Sequence, residues 1–205
     1  MVLAAGSGTR FGGPKPVAEL DGRPLVLHAV EAARTAEIDH VIVVVGHEAE
    51  VVATAVADHL DVEVVVNPDH AQGQATSVRA GLTAAQAHEA ASVAVILLAD
   101  QPRVDPTVIR QVVTALEDGA DVARAAYDDR PGHPVAFPRR VWPRLIDELT
   151  GDEGARQLLS QLEVAHVLVP GAMPADIDHP ADLARLEGEE PDARRPEDRG
   201  PDRAN

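Results

Sequence analysis

"HVIVVVGHEAEVVATAVADHL", residues 40 to 60, contains two periods in succession. His40 to Gly46 is a short β-branched run, apolar on both faces. From Glu48 to Leu60 the apolar residues Val51, Val52, Ala55, Val56 and Leu60 recur at helical spacing. A strand buried on both faces and followed by an amphipathic helix is half of a parallel β-α-β unit.

The same alternation extends in both directions. Val2–Ala5, Val62–Val66 and Val93–Leu98 read as further strands, the last the most apolar. Pro24–Thr35, Thr76–His88 and Pro106–Glu117 read as helices. The expectation is an α/β fold: a three-layer, mostly parallel Rossmann-like sheet with helices on both faces. The second half is less regular. Val122–Tyr127 and Pro134–Phe137 read as short edge or antiparallel strands and Val164–Val169 as a late strand. Trp142–Leu149, Gly154–Leu162 and Pro180–Leu186 read as helices.

The 205 residues fit one folded domain, expected over 1–186. From Glu187 the chain is polar, charged and rich in proline, and it is expected to form a disordered tail. Hydrophobic residues make up 45 % of the chain and aromatic ones 2 %, so the core must be aliphatic. The net charge of −16 argues against nonspecific binding to nucleic acid or an anionic membrane. There is no cysteine, which excludes disulfides and thiolate chemistry. No apolar run reaches the roughly 20 residues of a membrane span. The first residues already read as a strand rather than a signal peptide, and a cytoplasmic protein is expected.

The first strand leads into "LAAGSGTRFGGPKP", Leu3–Pro16. This glycine loop is not a Walker A loop, because Pro14 separates Gly13 from Lys15 and Pro16 replaces the hydroxyl residue. It is not the dinucleotide fingerprint either, since Gly6, Gly8 and Gly12 are one residue too widely spaced. What remains still suits a polyphosphate. Gly6 and Gly8 let backbone N–H groups turn toward a ligand, and Arg10 and Lys15 add two cations. Lys15 is the only lysine in the sequence.

Two carboxylate segments complete the set. "LLADQP", Leu97–Pro102, puts Asp100 just past a buried strand, the edge where open α/β sheets bind ligands. "ADIDHPADL", Ala175–Leu183, puts Asp176 and Asp178 ahead of the last helix. Two carboxylates with triphosphate oxygens suit Mg²⁺. Asp178 read alone is equally a helix N-cap.

"LAAGSGTRFGGPK" with "DGRPLVLHAV" resembles the MobA-like nucleotidyltransferase family, and most of all its molybdenum cofactor cytidylyltransferase branch. The resemblance runs from Val2 to about Leu186; in the family, extra strand residues usually precede the position of Met1. It implies that Asp100 and Asp178 hold the metal, and Asp176 is then structural. It implies nucleotide binding by Leu3, Ala4, Ala5, Gly6, Ser7, Gly8 and Lys15. "NPDHAQGQATSVRAGL", Asn67–Leu82, would hold the base and ribose, through Asn67, Gly73 and Ser77. Gly73 also permits close approach, Thr76 or Ser77 can cap the helix, and Arg79 lies near its start. "DDRPGHPVAF" and "GDEGARQLL" resemble acceptor-site segments, with His133 and Arg156 available to an anionic acceptor. The other histidines, including His28, His47 and His59, lack metal spacing.

The implied reaction is nucleotidyl transfer. An acceptor phosphate attacks the α-phosphorus of a nucleoside triphosphate and pyrophosphate leaves, with Lys15, Arg10 and Asp100 as the catalytic set. "LAAG" rather than "LAGG" implies CTP, and the branch implies a molybdopterin-type acceptor and a transient contact with a molybdoenzyme or its chaperone. Methylerythritol-phosphate cytidylyltransferases share "LAAGxGxRFG" but usually carry an Arg-rich "DxARP" after the strand, where this chain has "ADQPRV". A non-catalytic nucleotide-binding homologue would be expected to have lost part of the Arg10, Lys15, Asp100 and Asp178 set, which is intact.

Overall fold

The computed structural model describes residues 1–128, 130–151 and 158–188. The strands are β1 (Val2–Ala4), β2 (Glu19–Leu20), β3 (Arg23–Pro24), β4 (Val41–Val45), β5 (Val62–Val66), β6 (Val93–Leu98), β7 (Val122–Tyr127), β8 (Arg130–Pro138) and β9 (Val164–Val169). The helices are α1 (Leu25–Thr35), α2 (Ala49–Val56), α3 (Gln74–Ala85), α4 (Pro106–Thr114), α5 (Trp142–Glu148) and α6 (Pro180–Gly188). Seven strands form one sheet in the order β5-β4-β1-β6-β8-β7-β9. β5, β4, β1 and β6 are parallel neighbours. β8 is antiparallel to both β6 and β7, and β9 is parallel to β7. The fold is therefore the mostly parallel three-layer α/β sheet expected, with only β8 reversed.

Alternate residues of each strand feed two cores, because side chains on a strand point to opposite faces. On one face Val2, Val43, Val45 and Leu97 pack with Val26 and Val30 of α1, Val52 of α2 and Ile109 of α4. On the other, Leu3, Val44, Ala94 and Ile96 pack with Val78 and Leu82 of α3 and Trp142 and Leu145 of α5. Complete burial of one such Val or Leu is worth about 1.5–3 kcal/mol before chain entropy is charged against it. A third, smaller cluster joins Leu20 and Leu25 to Ile177 and Leu186, which ties the C-terminal segment to the start of the chain.

Several local expectations are corrected. α2 ends at Val56, so Leu60 is not on its stripe; it sits in the following turn at 98 % exposure, and Val51 is also exposed. Pro24 is the N-cap of α1 rather than its first helical residue. β7 and β8 are interior rather than edge strands, and β9 takes the edge; the antiparallel alternative holds, since β8 runs antiparallel to β7 and β6. α3 begins at Gln74 with Gly73 as its N-cap, so neither Thr76 nor Ser77 caps it. The Thr76 hydroxyl donates back to the Gly73 carbonyl instead. The β2–β3 hairpin was not anticipated, although Asp21 and Gly22 both carry the positive φ that a tight hairpin turn requires. Glu187 and Gly188, expected in the tail, close α6; the rest of the expected tail, 189–205, lies outside the described residues, as do residues 154–157 of the helix expected over Gly154–Leu162, of which Leu158 and Leu159 are helical and 160–162 are not.

Candidate active site

β1 is central, and its neighbours β4 and β6 lie on either side of it. A crevice beyond the C-terminal ends of such strands is where open α/β sheets place ligands. The glycine loop leaves β1 there, and Asp100 follows β6 there. Gly8 has φ +57°, and a Cβ on it would collide with the Gly13 carbonyl oxygen. The Gly8 carbonyl accepts from the N–H groups of Phe11 and Gly12, both at 2.9 Å, which curls the loop tightly. Lys15 opens a short 3-10 turn, Lys15–Val17, and is brought back across the loop.

Four charged groups meet at this point. Lys15 Nζ donates to Asp100 Oδ2 at 2.6 Å and to Asp178 Oδ1 at 3.5 Å. Arg10 Nη1 donates to the other oxygen of Asp178, Oδ2, at 2.9 Å. The Lys15 side chain is only 15 % exposed, less than a surface lysine would be, whereas Arg10 is 71 % exposed. The inner Lys15–Asp100 pair is screened least by solvent and the outer Arg10–Asp178 pair most.

Backbone contacts bring Asp178 to this place. The Ile177 N–H donates to the Asp100 carbonyl at 3.0 Å, and the Ile177 side chain is fully buried. Gln101 Nε2 donates to Asp176 Oδ1 at 2.8 Å. The segment 176–178 is thus stitched to the end of β6 on both sides of its buried isoleucine. At the start of α6 the capping carboxylate is Asp182, whose Oδ2 accepts from the N–H groups of Asp178 and His179 at 3.0 and 2.8 Å. Those two bonds hold the Asp182 carboxyl below its usual pKa. The Asp178 carboxylate is left facing Arg10 and Lys15.

The remaining predicted residues fall into three groups. Leu3, Ala4 and Ala5 have buried side chains, so a ligand could meet only their backbone; Gly6 and Ser7 are exposed. Asn67 and Ser77 are also buried, and their polar atoms are engaged. Asn67 Nδ2 donates to Thr76 Oγ1 at 2.8 Å and Ser77 Oγ at 3.0 Å, and Asn67 Oδ1 accepts from the Asp69 N–H at 3.0 Å. These side chains brace the turn between β5 and α3, with Gly73 at φ +115° in that turn. His133 is the fourth residue of β8. Burial pushes its imidazole pKa down to about 4; the Arg124 charge adds to this and Asp100 opposes it. His133 is therefore neutral at pH 7. Arg156 lies outside the described residues.

Gln101, Ile177 and Arg124 were not singled out from the sequence. Arg124 carried a readable signal, a lone cation inside the apolar run "VARAAY".

Two hard carboxylate oxygens converging on one ammonium fit a divalent cation, with Lys15 Nζ standing where positive charge is wanted. Among the described residues no group of three or more His, Cys, Asp or Glu could hold a metal, so phosphate oxygens and water would have to supply the rest of the shell. A cavity of about 850 Å³ lined by Ile38, His40, His88 and Trp142 lies toward the opposite end of the strands and contains none of these groups. Among the described residues no helix is long and apolar enough to cross a membrane.

The family described as "MobA-like NTP transferase domain" matches residues 1–167. Nicotine blue oxidoreductase of Paenarthrobacter nicotinovorans is 32 % identical over 169 residues, covering 78 % of this chain and 80 % of that protein. The bifunctional protein GlmU of Burkholderia ambifaria is 35 % identical over 136 residues, 65 % of this chain but only 29 % of GlmU. The crystal structure of Rv0371c from Mycobacterium tuberculosis H37Rv superimposes with a TM-score of 0.78 at 31 % identity, covering 92 % of this chain and 96 % of that one. The same protein in complex with manganese gives a TM-score of 0.74 at 32 % identity, covering 90 % and 95 %. The chain belongs to the MobA-like NTP transferase family, a family of nucleotidyltransferases.

Proposed function

We propose that the protein transfers CMP from CTP to a phosphorylated acceptor of the molybdopterin type, in a Mg²⁺-dependent reaction that releases pyrophosphate. The observation carrying this reading is the single cluster in which Lys15 Nζ contacts both Asp100 and Asp178 while Arg10 contacts Asp178. A loop with free N–H groups beside two cations and two carboxylates suits a triphosphate with its metal. That the Mycobacterium tuberculosis relative forms a complex with manganese supports binding of a divalent ion.

In this reading an acceptor phosphate oxygen forms a bond to the α-phosphorus, and the bond from that phosphorus to the β-bridging oxygen breaks. The attacking group is already ionised at neutral pH, so no side chain need take its proton. Catalysis then consists of positioning and charge neutralisation. Asp100 and Asp178 would hold the metal, which supplies charge neutralisation on the phosphates. Lys15 and Arg10 swing from the carboxylates to the triphosphate oxygens. The Gly6–Gly8 backbone would cradle the triphosphate, and Gly73 opens space for the nucleoside beside the turn that Asn67 braces. The "LAAG" sequence at Leu3–Gly6 and the resemblance to the cytidylyltransferase branch favour CTP and the pterin acceptor.

The test is pyrophosphate release with CTP, GTP, ATP and UTP against a panel of phosphorylated acceptors. Turnover with CTP, lost in excess chelator, is the expected result. Turnover independent of divalent metal overturns the reading. A second reading, oxidoreduction, is favoured by the likeness to nicotine blue oxidoreductase. It predicts substrate reduction with no pyrophosphate released, and the same assay separates the two.

A further inference from the structure

Among the described residues Arg124 has no ion-pair partner. It projects from β7, an interior strand whose other members are Val, Ala and Tyr. Its Nε is buried and has no hydrogen-bond partner. Among the described residues its one hydrogen bond runs from Nη2 to the Gly132 carbonyl at 3.5 Å, the weak limit of such contacts. Other arginines of the chain are served differently. Arg34 is paired with Asp61, and Arg139 donates to the carbonyls of His88, Ala91 and Gln86 at 2.7–2.9 Å.

A half-buried guanidinium whose Nε is left this way costs stability unless something returns negative charge to it. Its position suggests what does. Arg124 pairs in register with Val135 of β8, two residues beyond His133. β8 separates β7 from β6, and β6 ends at Asp100. Val135 in turn pairs with Ile96 of β6, four residues before Asp100, so Arg124 lies two strands across from the end of β6, and both Arg124 and Asp100 act electrostatically on the His133 imidazole. The Tyr127 hydroxyl donates to the His133 carbonyl at 3.0 Å, which fixes the start of β8 between them.

We propose that Arg124 binds the phosphomonoester of the acceptor, on the β7 side of Asp100. This rests on the nucleotidyl-transfer reading above, in which the acceptor must bring an anionic oxygen to the α-phosphorus. A planar guanidinium with unused N–H groups matches a phosphate dianion, and neutral His133 beside it adds an N–H without adding charge. The sequence expectation that His133 contacts the acceptor phosphate thereby gains a cationic companion.

The experiment uses the full chain saturated with Mg²⁺ and the unreactive analogue cytidine 5′-(α,β-methylene)triphosphate, so that the triphosphate loop is filled. Phenyl phosphate and benzoate are the probes, titrated by NMR. Wild type is expected to bind phenyl phosphate better than benzoate. Arg124→Met should weaken phenyl phosphate about tenfold or more, the scale of a lost charged hydrogen bond. Arg124→Lys should weaken it less. Neither variant should change the analogue's affinity beyond about twofold, because Arg124 is assigned to the acceptor alone. Arg124→Gln, which keeps a polar group and similar bulk, replaces the methionine variant if that one fails to fold. Equal phenyl phosphate binding in a folded Arg124→Met or Arg124→Gln protein overturns the proposal. So does wild type that binds the analogue but not phenyl phosphate, or that prefers benzoate. If the analogue itself fails to bind, the nucleotidyl-transfer reading falls. The Arg124 dependence of phenyl phosphate binding, measured without analogue, then still decides whether Arg124 makes an anion site.

Discussion

Lys15 Nζ lies 2.6 Å from Asp100 Oδ2, although the two residues are 85 positions apart in sequence. The glycine loop after β1 delivers one and the end of β6 delivers the other. The pair occupies a half-buried position in which neither group is well solvated, so each depends on the other until a ligand arrives.

Lys15→Ala should reduce turnover by about 10²-fold or more, the usual scale for loss of one contact to developing charge. It also leaves Asp100 and Asp178 facing each other without their shared cation. The variant's melting temperature should therefore rise more on adding Mg²⁺ than that of wild type. Differential scanning fluorimetry with and without the metal checks this; equal shifts in both proteins would mean that the carboxylates do not share a cation site.

His133 gives a stability prediction with a definite sign. Its pKa is near 4 in the fold, against an ordinary value of 6.5. Between those values the unfolded chain binds more protons, so folding weakens as the pH falls. The contribution is fully present above about pH 6.5 and is lost on the way down to about pH 4. His133→Gln should flatten the dependence of melting temperature on pH across that window. An unchanged slope would show that the imidazole is not held neutral by the fold.

Asn67 distinguishes a bracing role from direct contact with the nucleotide. Replacing it with Ala strips partners from the Asp69 N–H and from two hydroxyls. A cost of about 1–3 kcal/mol in urea unfolding is expected for a buried site of this kind. Nucleotide affinity should fall as a consequence of the displaced turn. A variant of wild-type stability with lost nucleotide affinity would instead indicate direct contact.

The parallel half of the sheet was legible because its strands are buried on both faces and read as unbroken aliphatic runs. β8 was not legible over its full length. Its "RPGHPVAFP" carries three prolines and a glycine in an interior strand, which local propensity argues against. The pairing with β7 absorbs them through an irregularity between Arg124 and Ala126. In the site, the charged groups that meet were readable from the motifs. The groups that bring them together were not, because Ile177 and Gln101 look like ordinary residues until their partners across the fold are known. Asn67 and Ser77 were recognised in position, but the sequence could not reveal that their polar atoms bond to each other and to the adjoining turn.

Asp178, just before α6, and Asp182, in its first turn, should respond in opposite ways. Asp182 accepts two backbone N–H groups at the start of α6, whereas the Asp178 carboxylate contacts only Arg10 and Lys15 among the hydrogen-bonded and ion-paired groups described. Asp178→Asn keeps the volume and removes the charge. It should raise the Mg²⁺ concentration needed for half-maximal turnover and lower the maximal rate by about tenfold or more, with little change in melting temperature. Asp182→Ala should do the reverse, lowering the melting temperature through the lost cap while leaving the metal requirement near wild type in the protein that remains folded. Asp100→Asn should resemble Asp178→Asn, and the two together should cost less than the sum of their separate effects, because they act on one ion. Strict additivity of the two, or an Asp178→Asn enzyme with an unaltered Mg²⁺ profile, would separate the carboxylates and remove the shared metal site.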